Sequence, residues 1–276
     1  MSEIPFKFDE IGYWSELKLE IIEKYGAAYT RAFINQPFLK KYYIDGFSGA
    51  GRHLSKETTE EIEGSAVRAL RVSPPFDGFY FVDVNPDKTA FLSKLCEGRE
   101  NTHIYTGDSN DVLTAEVFPK IQFEKYTRAL CLLDPYGLHL NWEVLRRAGQ
   151  SRAIDMFLNF PVMDMNRNAI WKNPEKATAA GIERMTRFWG DDTWRTAAYV
   201  ENPQGNLFGD AGVIKQDNET IVDAFRERLC KVAGFDHVPK PLPMKNSKNA
   251  VVYYLFFAAR NEIANKIVQN IFARYR

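Results

Sequence analysis

Two stretches of the sequence bring together residue types that can do chemistry. The first is Tyr42-Tyr43-Ile44-Asp45-Gly46-Phe47-Ser48-Gly49-Ala50-Gly51-Arg52, where an apolar run ends in an acid and three glycines follow within six residues. Glycine has no Cβ, so the backbone there can turn tightly and approach a ligand. The second is Arg128-Ala129-Leu130-Cys131-Leu132-Leu133-Asp134-Pro135-Tyr136-Gly137, an apolar strand running into Asp134-Pro135-Tyr136. A carboxylate and a backbone carbonyl at such a strand end can accept hydrogen bonds from an NH₂ group. The Tyr136 ring can stack on a planar substrate. The alternative for this strand end is a plain turn, for which Pro-Tyr-Gly is suitable chemistry.

The glycine loop does not fit several nucleotide and nucleophile motifs. It lacks the terminal Lys-Ser/Thr of a phosphate-cradling loop. Ser48 is not a nucleophile elbow, because Ala50 stands where that pattern needs glycine. The spacing is G-x-x-G-x-G rather than the dinucleotide G-x-G-x-x-G. What remains is a ligand loop after the first core strand, or a structural turn with no ligand.

Acids at later strand ends favour the ligand. Asp83 closes the run Phe79–Val82 and can accept hydrogen bonds from two ribose hydroxyls. Asp108, in Thr106-Gly107-Asp108-Ser109, can accept one from an adenine amino group. Each acid singly reads equally as a solvated loop residue or a helix cap. Acids ending three successive strands suit an adenosine-bearing ligand. The expected cofactor set is Asp45, Gly46, Phe47, Gly49, Gly51, Asp83, Asn85, Asp108 and Ser109. The cofactor expected at Asp45–Arg52 is S-adenosylmethionine, and the expected catalytic set is Asp134, Pro135 and Tyr136.

The elements that must position these residues alternate in type. Strands are expected at Tyr42–Asp45, Phe79–Val84, His103–Tyr105, Arg128–Leu133 and Ala153–Phe160. Helices are expected at Tyr13–Phe33, Gly64–Val72, Asp87–Cys96, Asp111–Phe118 and Trp142–Gly149. Such alternation predicts a mostly parallel sheet covered on both faces. From Met163 to about Lys215 it fails. Residues 163–217 read as an insertion with a helix at Pro174–Trp189 and a Gly/Pro/Asn loop at 202–212. A helix at Glu219–Ala233, a hairpin of Pro239–Lys245 and Val251–Ala258, and a helix at Glu262–Tyr275 complete the chain. Residues 1–276 read as one domain with a helical extension over 1–40.

Composition narrows the partners. Lys+Arg and Asp+Glu are equal at 36 each, which argues against holding a long duplex by charge alone. Cys96, Cys131 and Cys230 form no CxxC pair, and the four histidines show no metal-ligand spacing. Cys131, inside a strand, reads as a small buried apolar residue. The longest apolar run, Ala250–Ala259, is too short to span a bilayer, and the first residues do not read as a signal peptide. A cytoplasmic, reduced protein without membrane contact is expected.

The chain resembles the three-Cys-motif partner proteins, which look like class I methyltransferases. The resemblance rests on Glu16–Tyr25, Tyr43–Gly51, Phe81-Val82-Asp83, Leu133–Gly137, Asp155–Phe160 and Tyr253–Ala258. It implies a Rossmann-like sheet of seven strands ending in an antiparallel hairpin, and a neighbouring partner protein bearing three cysteines. Amino-directed methyltransferases carry Asp/Asn-Pro-Pro-Tyr/Phe where Asp134-Pro135-Tyr136 stands, and here Gly137 departs from that pattern. A local similarity to a ribosomal-RNA adenine-N6 methyltransferase adds Lys18, by position, as a cofactor contact. The alternative for Lys18 is a surface lysine on an amphipathic helix. Together these imply methyl transfer to an amino nitrogen, with a nucleic-acid base or another planar amino-bearing group as acceptor. Arg167, Lys172, Arg184, Arg187 and Arg195 would then face phosphates, or else form a solvated face balanced by Glu175, Glu183 and Asp191. The competing expectation is a non-catalytic scaffold of the same fold.

Overall fold

Side chains along a strand alternate between faces, and here that alternation divides one sheet between two cores. The computed structural model describes residues 6–202 and 212–276. The sheet contains β1 (Lys40–Asp45), β2 (Gly78–Asp83), β3 (Thr102–Thr106), β4 (Thr127–Leu133), β5 (Ile154–Phe160), β6 (Leu242–Lys245) and β7 (Val251–Ala258). Its order is β6-β7-β5-β4-β1-β2-β3. β1 to β5 run parallel, and β7 runs antiparallel to both β5 and β6. This is the Rossmann-like class I methyltransferase architecture expected from the sequence.

Ile44, Tyr80, Val82, Cys131, Leu133 and Leu158 point into one core, while Tyr43, Phe79, Phe81, Leu130, Leu132 and Phe157 point into the other. Both faces of β2 are therefore dry, which explains its unbroken apolar run. The second core is covered by α1 (Tyr13–Ala32), α2 (Ser65–Ala69), α3 (Pro86–Leu95) and α10 (Glu262–Phe272). The first is covered by α5 (Trp142–Gln150), α7 (Ala179–Trp189) and α9 (Asn218–Arg228). Between them in the chain lie α4 (Ser109–Val112), α6 (Val162–Asn168) and α8 (Trp194–Ala198).

Several local expectations need correction. The helix expected over Asp111–Phe118 starts at Ser109 and is α-helical only to Val112. It widens to a π turn over Leu113–Val117 and tightens at Phe118–Lys120, where Pro119 offers no N–H to an α-helical ladder. The helix expected over Pro174–Trp189 is a short turn at Pro174–Lys176, then α7. Two small sheets were not foreseen. Glu10–Ile11, Arg52–Ser55 and Glu61–Glu63 form one, and Tyr199–Glu201 pairs with Val213–Lys215 in the other. Their strands are too short and too polar to show a period. Most of the loop expected at 202–212 lies outside the described residues.

Candidate functional site

The glycine loop follows β1 and is fastened by its neighbours. Gly46 N–H donates to Leu132 O of β4 at 2.9 Å, and Ser48 N–H donates to Val82 O of β2 at 2.9 Å. The buried Ser109 hydroxyl, at the start of α4, donates to Gly46 O. Gly49 has φ +59° and Gly51 φ +77°, a left-handed backbone that side chains rarely tolerate. A Cβ on Gly51 would also come within 2.9 Å of Leu92 Cδ1.

Asp45 and Asp83 lie beneath this loop. Asp45 is fully buried. It accepts Phe47 N–H at 3.1 Å on one oxygen and the Ser65 hydroxyl on the other. Burial pushes its carboxyl up to about 7 against the pull of those hydrogen bonds. Asp83 accepts Gly49 N–H at 3.0 Å and Asn85 N–H at 2.8 Å, so it locks the loop to the end of β2. Asn85 caps α3 through the N–H groups of Asp87 and Lys88. Asp108 caps α4 through Asn110 N–H. Val84, which sequence reading passed over, projects from the end of β2 with 70% of its surface exposed. Its signal was an apolar residue directly after the strand-ending acid.

Beside the loop, a cavity of about 390 Å³ opens among α1 and the ends of β4, β5 and β7. That volume falls within the range of small-molecule sites. Lys18, Phe47, Gly49, Asp134, Pro135 and Tyr136 line it. Asp45, Asp83, Asn85, Asp108 and Ser109 do not: three hold the loop or its support, and two cap helices. The cavity's wall also includes Asn159 and His53, two residues the sequence did not single out.

Lys18 is buried on the inner face of α1, and its ammonium pairs with one oxygen of Asp134. The other oxygen accepts Asn159 Nδ2–H at 2.7 Å. The carboxylate therefore fixes the orientation of the Asn159 amide, and among the described residues Asn159 Oδ1 has no partner. His53 Nδ1 is likewise unpartnered, and burial holds its imidazole below the usual histidine range. A buried polar atom without a partner is costly. Two such atoms in one cavity fit hydrogen-bonding groups of a bound cofactor or acceptor.

Tyr136 stands at the mouth. Gly137 turns the chain at φ +59°, and the next N–H, of Leu138, is held by Asp164 Oδ2 at 3.1 Å. A Cβ on Gly137 would meet that carboxylate at 2.5 Å, so the glycine that follows Tyr136 has a local reason. The segment before α1 crosses the mouth. Asp9 accepts from Lys88 Nζ at 2.5 Å and from the Tyr136 hydroxyl at 3.2 Å, while Phe6 and Phe8 pack on Phe91. Among the basic residues of 163–217, Arg187 pairs with Glu183 and Arg195 lies 3.9 Å from Asp192, whereas Arg167 lines the cavity. Asp191 forms its ion pair with Arg228 of α9 rather than with a basic residue of 163–217.

No family model matches this chain, and no curated protein matches it. Solved structures resemble it distantly. A Legionella pneumophila protein is 10% identical with a TM-score of 0.47, over 92% of this chain and 91% of that one. A candidate S-adenosylmethionine-dependent methyltransferase from Listeria monocytogenes is 10% identical with a TM-score of 0.43, over 86% and 98%. The N-terminal domain of EvdMO1, solved with SAH bound, is 12% identical with a TM-score of 0.38, over 85% and 80%. Among the described residues, no helix is long and apolar enough to cross a membrane.

Proposed function

We propose that this chain transfers a methyl group from S-adenosylmethionine to an amino nitrogen. The observation that carries this reading is the shared cavity, which sets the left-handed Gly49, the Lys18–Asp134–Asn159 cluster and Tyr136 around one space. The Gly49 backbone, Phe47 and Lys18, which line that cavity, would hold the cofactor, with Asp83 keeping the loop in shape. Bound there, the cofactor supplies an electrophilic methyl on sulfur.

The chain's own contribution is alignment and hydrogen bonding. Asp134 is held in place by Lys18 and Asn159, and each of its oxygens retains a lone pair for an incoming N–H. Asn159 Oδ1 is a second acceptor aligned by the same cluster. The Tyr136 ring offers a face to a planar acceptor once Asp9 releases its hydroxyl. A nucleic-acid base is the acceptor this arrangement suits best, and Arg167 at the wall supplies a phosphate contact. The finer placement among the three-Cys-motif partner proteins is supported by the sequence segments given above. It brings with it a protein bearing three cysteines as partner.

Titration calorimetry with S-adenosylmethionine tests the reading directly. Micromolar binding is expected, and no heat at millimolar ligand overturns it. Transfer of labelled methyl to RNA, DNA and free nucleosides then identifies the acceptor. Asp134→Asn should abolish transfer while retaining cofactor binding. Full biological activity in that variant would favour the scaffold instead.

A further inference from the structure

β4 and β5, which end at the Lys18–Asp134 cavity, begin at a second one, and β7, which begins at the first, ends at the second. At the opposite ends of these strands, the starts of β4 and β5 and the residues after β7 enclose about 460 Å³ together with the end of α1. Three guanidinium groups, of Arg128, Arg152 and Arg260, line it. Arg128 lies over the Phe123 ring at 3.8 Å, and Arg152 approaches the same ring at 5.4 Å. Arg260 is 3.6 Å from Asp236, but neither Arg128 nor Arg152 forms an ion pair among the described residues. Two like charges are thus gathered at one ring, with Arg128 also donating to the Phe123 and Thr127 carbonyls and neither guanidinium within ion-pair distance of a carboxylate among the described residues. Arg152 also has φ +59°, a conformation unusual for arginine, which places its side chain on this cleft at some cost in backbone strain.

The cleft has a single carboxylate, Asp155, which accepts the Tyr25 hydroxyl at 3.1 Å. Burial pushes Asp155 up to about 7, so near neutrality it opposes an anion only in part. Aromatic surface lies at hand: Phe123 is 36% exposed, and Phe38 and Tyr126 form an edge-on pair at 5.5 Å, both largely exposed. Leu39, next to Phe38, lines the cleft.

We propose that this cleft binds a nucleotide unit, its phosphate on Arg128 and Arg152 and its base against the exposed rings. Paired guanidiniums suit phosphate oxygens, and an aromatic face suits any base. The unit comes either from a free nucleotide or from a single strand. The site is separate from the methyl-transfer cavity and does not depend on that reading.

The test is calorimetry on the full chain saturated with SAH, using uridine 5′-monophosphate, inorganic phosphate and a short single-stranded RNA as probes. Submillimolar binding of the mononucleotide is expected, weakened at least tenfold in Arg152→Asn, which tolerates the left-handed backbone, and in Phe123→Leu. Much tighter binding of the RNA, with the same loss in both variants, assigns the unit to a strand. Phosphate binding as tightly as the nucleotide overturns the role given to the rings. No binding of any probe at millimolar concentration, or variants that bind as the parent does, overturns the site. Failure of SAH itself to bind would count against the methyl-transfer proposal alone.

Discussion

The Lys18 ammonium, buried on α1, is paired with the Asp134 carboxylate at the end of β4. The two partners are unequally sheltered, since 6% of the Lys18 side chain is exposed against 30% for Asp134. Removing the shallower partner should therefore do more harm than removing the deeper one. Asp134→Leu strands a cation in the interior and should cost roughly 3–5 kcal/mol. Lys18→Met leaves a carboxylate that water can reach and should cost about 1 kcal/mol. Urea midpoints of the two variants decide it, and equal losses would contradict the asymmetry.

Asn159 should separate stability from function. Among the described residues its Oδ1 has no partner, so Asn159→Leu forfeits only the N–H bond to Asp134, a loss of about 1 kcal/mol. Binding or transfer should nevertheless weaken by an order of magnitude, because the cavity loses an acceptor. Calorimetry alongside a thermal melt checks both halves.

Asp45 sets a pH dependence. Its ordinary value is 3.8, and burial in the fold pushes it to about 7. Between those limits the native state holds a proton that the unfolded chain has released. The stabilisation from this proton is complete below the lower value, declines as pH rises toward 7 and is gone above it. Asp45→Asn should flatten the fall in melting temperature between about pH 4 and about pH 7. An unchanged slope in the variant would remove Asp45 from the account.

The bridge from Asp9 to Lys88 and Tyr136 should act on rates more than on affinity. It is a half-exposed ion pair, of the kind worth about 1 kcal/mol. Asp9→Ala should raise cofactor association and dissociation by about fivefold each, seen in stopped-flow fluorescence. A change confined to dissociation would mean that the segment contacts the ligand instead of covering the mouth.

Gly149 inverts the usual rule for glycine in a helix. Alanine at an exposed helical position stabilises by about 1 kcal/mol. Here a Cβ would stand 2.2 Å from Ala233 O, on the turn that follows α9. Gly149→Ala should therefore destabilise by roughly 1–3 kcal/mol, measurable as a lowered denaturant midpoint.

The sequence by itself determined the sheet. Unbroken apolar runs such as Phe79–Val82 and Leu130–Leu133 place apolar side chains on both faces, and only a strand covered on both sides can bury them. It also marked the strand ends, because glycines and acids there follow directly on apolar residues. The helices with a clear period came through within a few residues, whereas the short strands at Arg52–Ser55 and Tyr199–Glu201 carry no period to read.

The tertiary structure alone decided which marked residues share a space. Asp83 and Asp108 looked alike in sequence, yet one closes the glycine loop and the other caps a helix, because the direction of the next turn differs. Lys18 and Asp134 are 116 positions apart, and Asn159 lies a further strand away. No local pattern encodes their meeting. It follows from β4 and β5 lying side by side with α1 packed across them, and that packing is a property of the whole core.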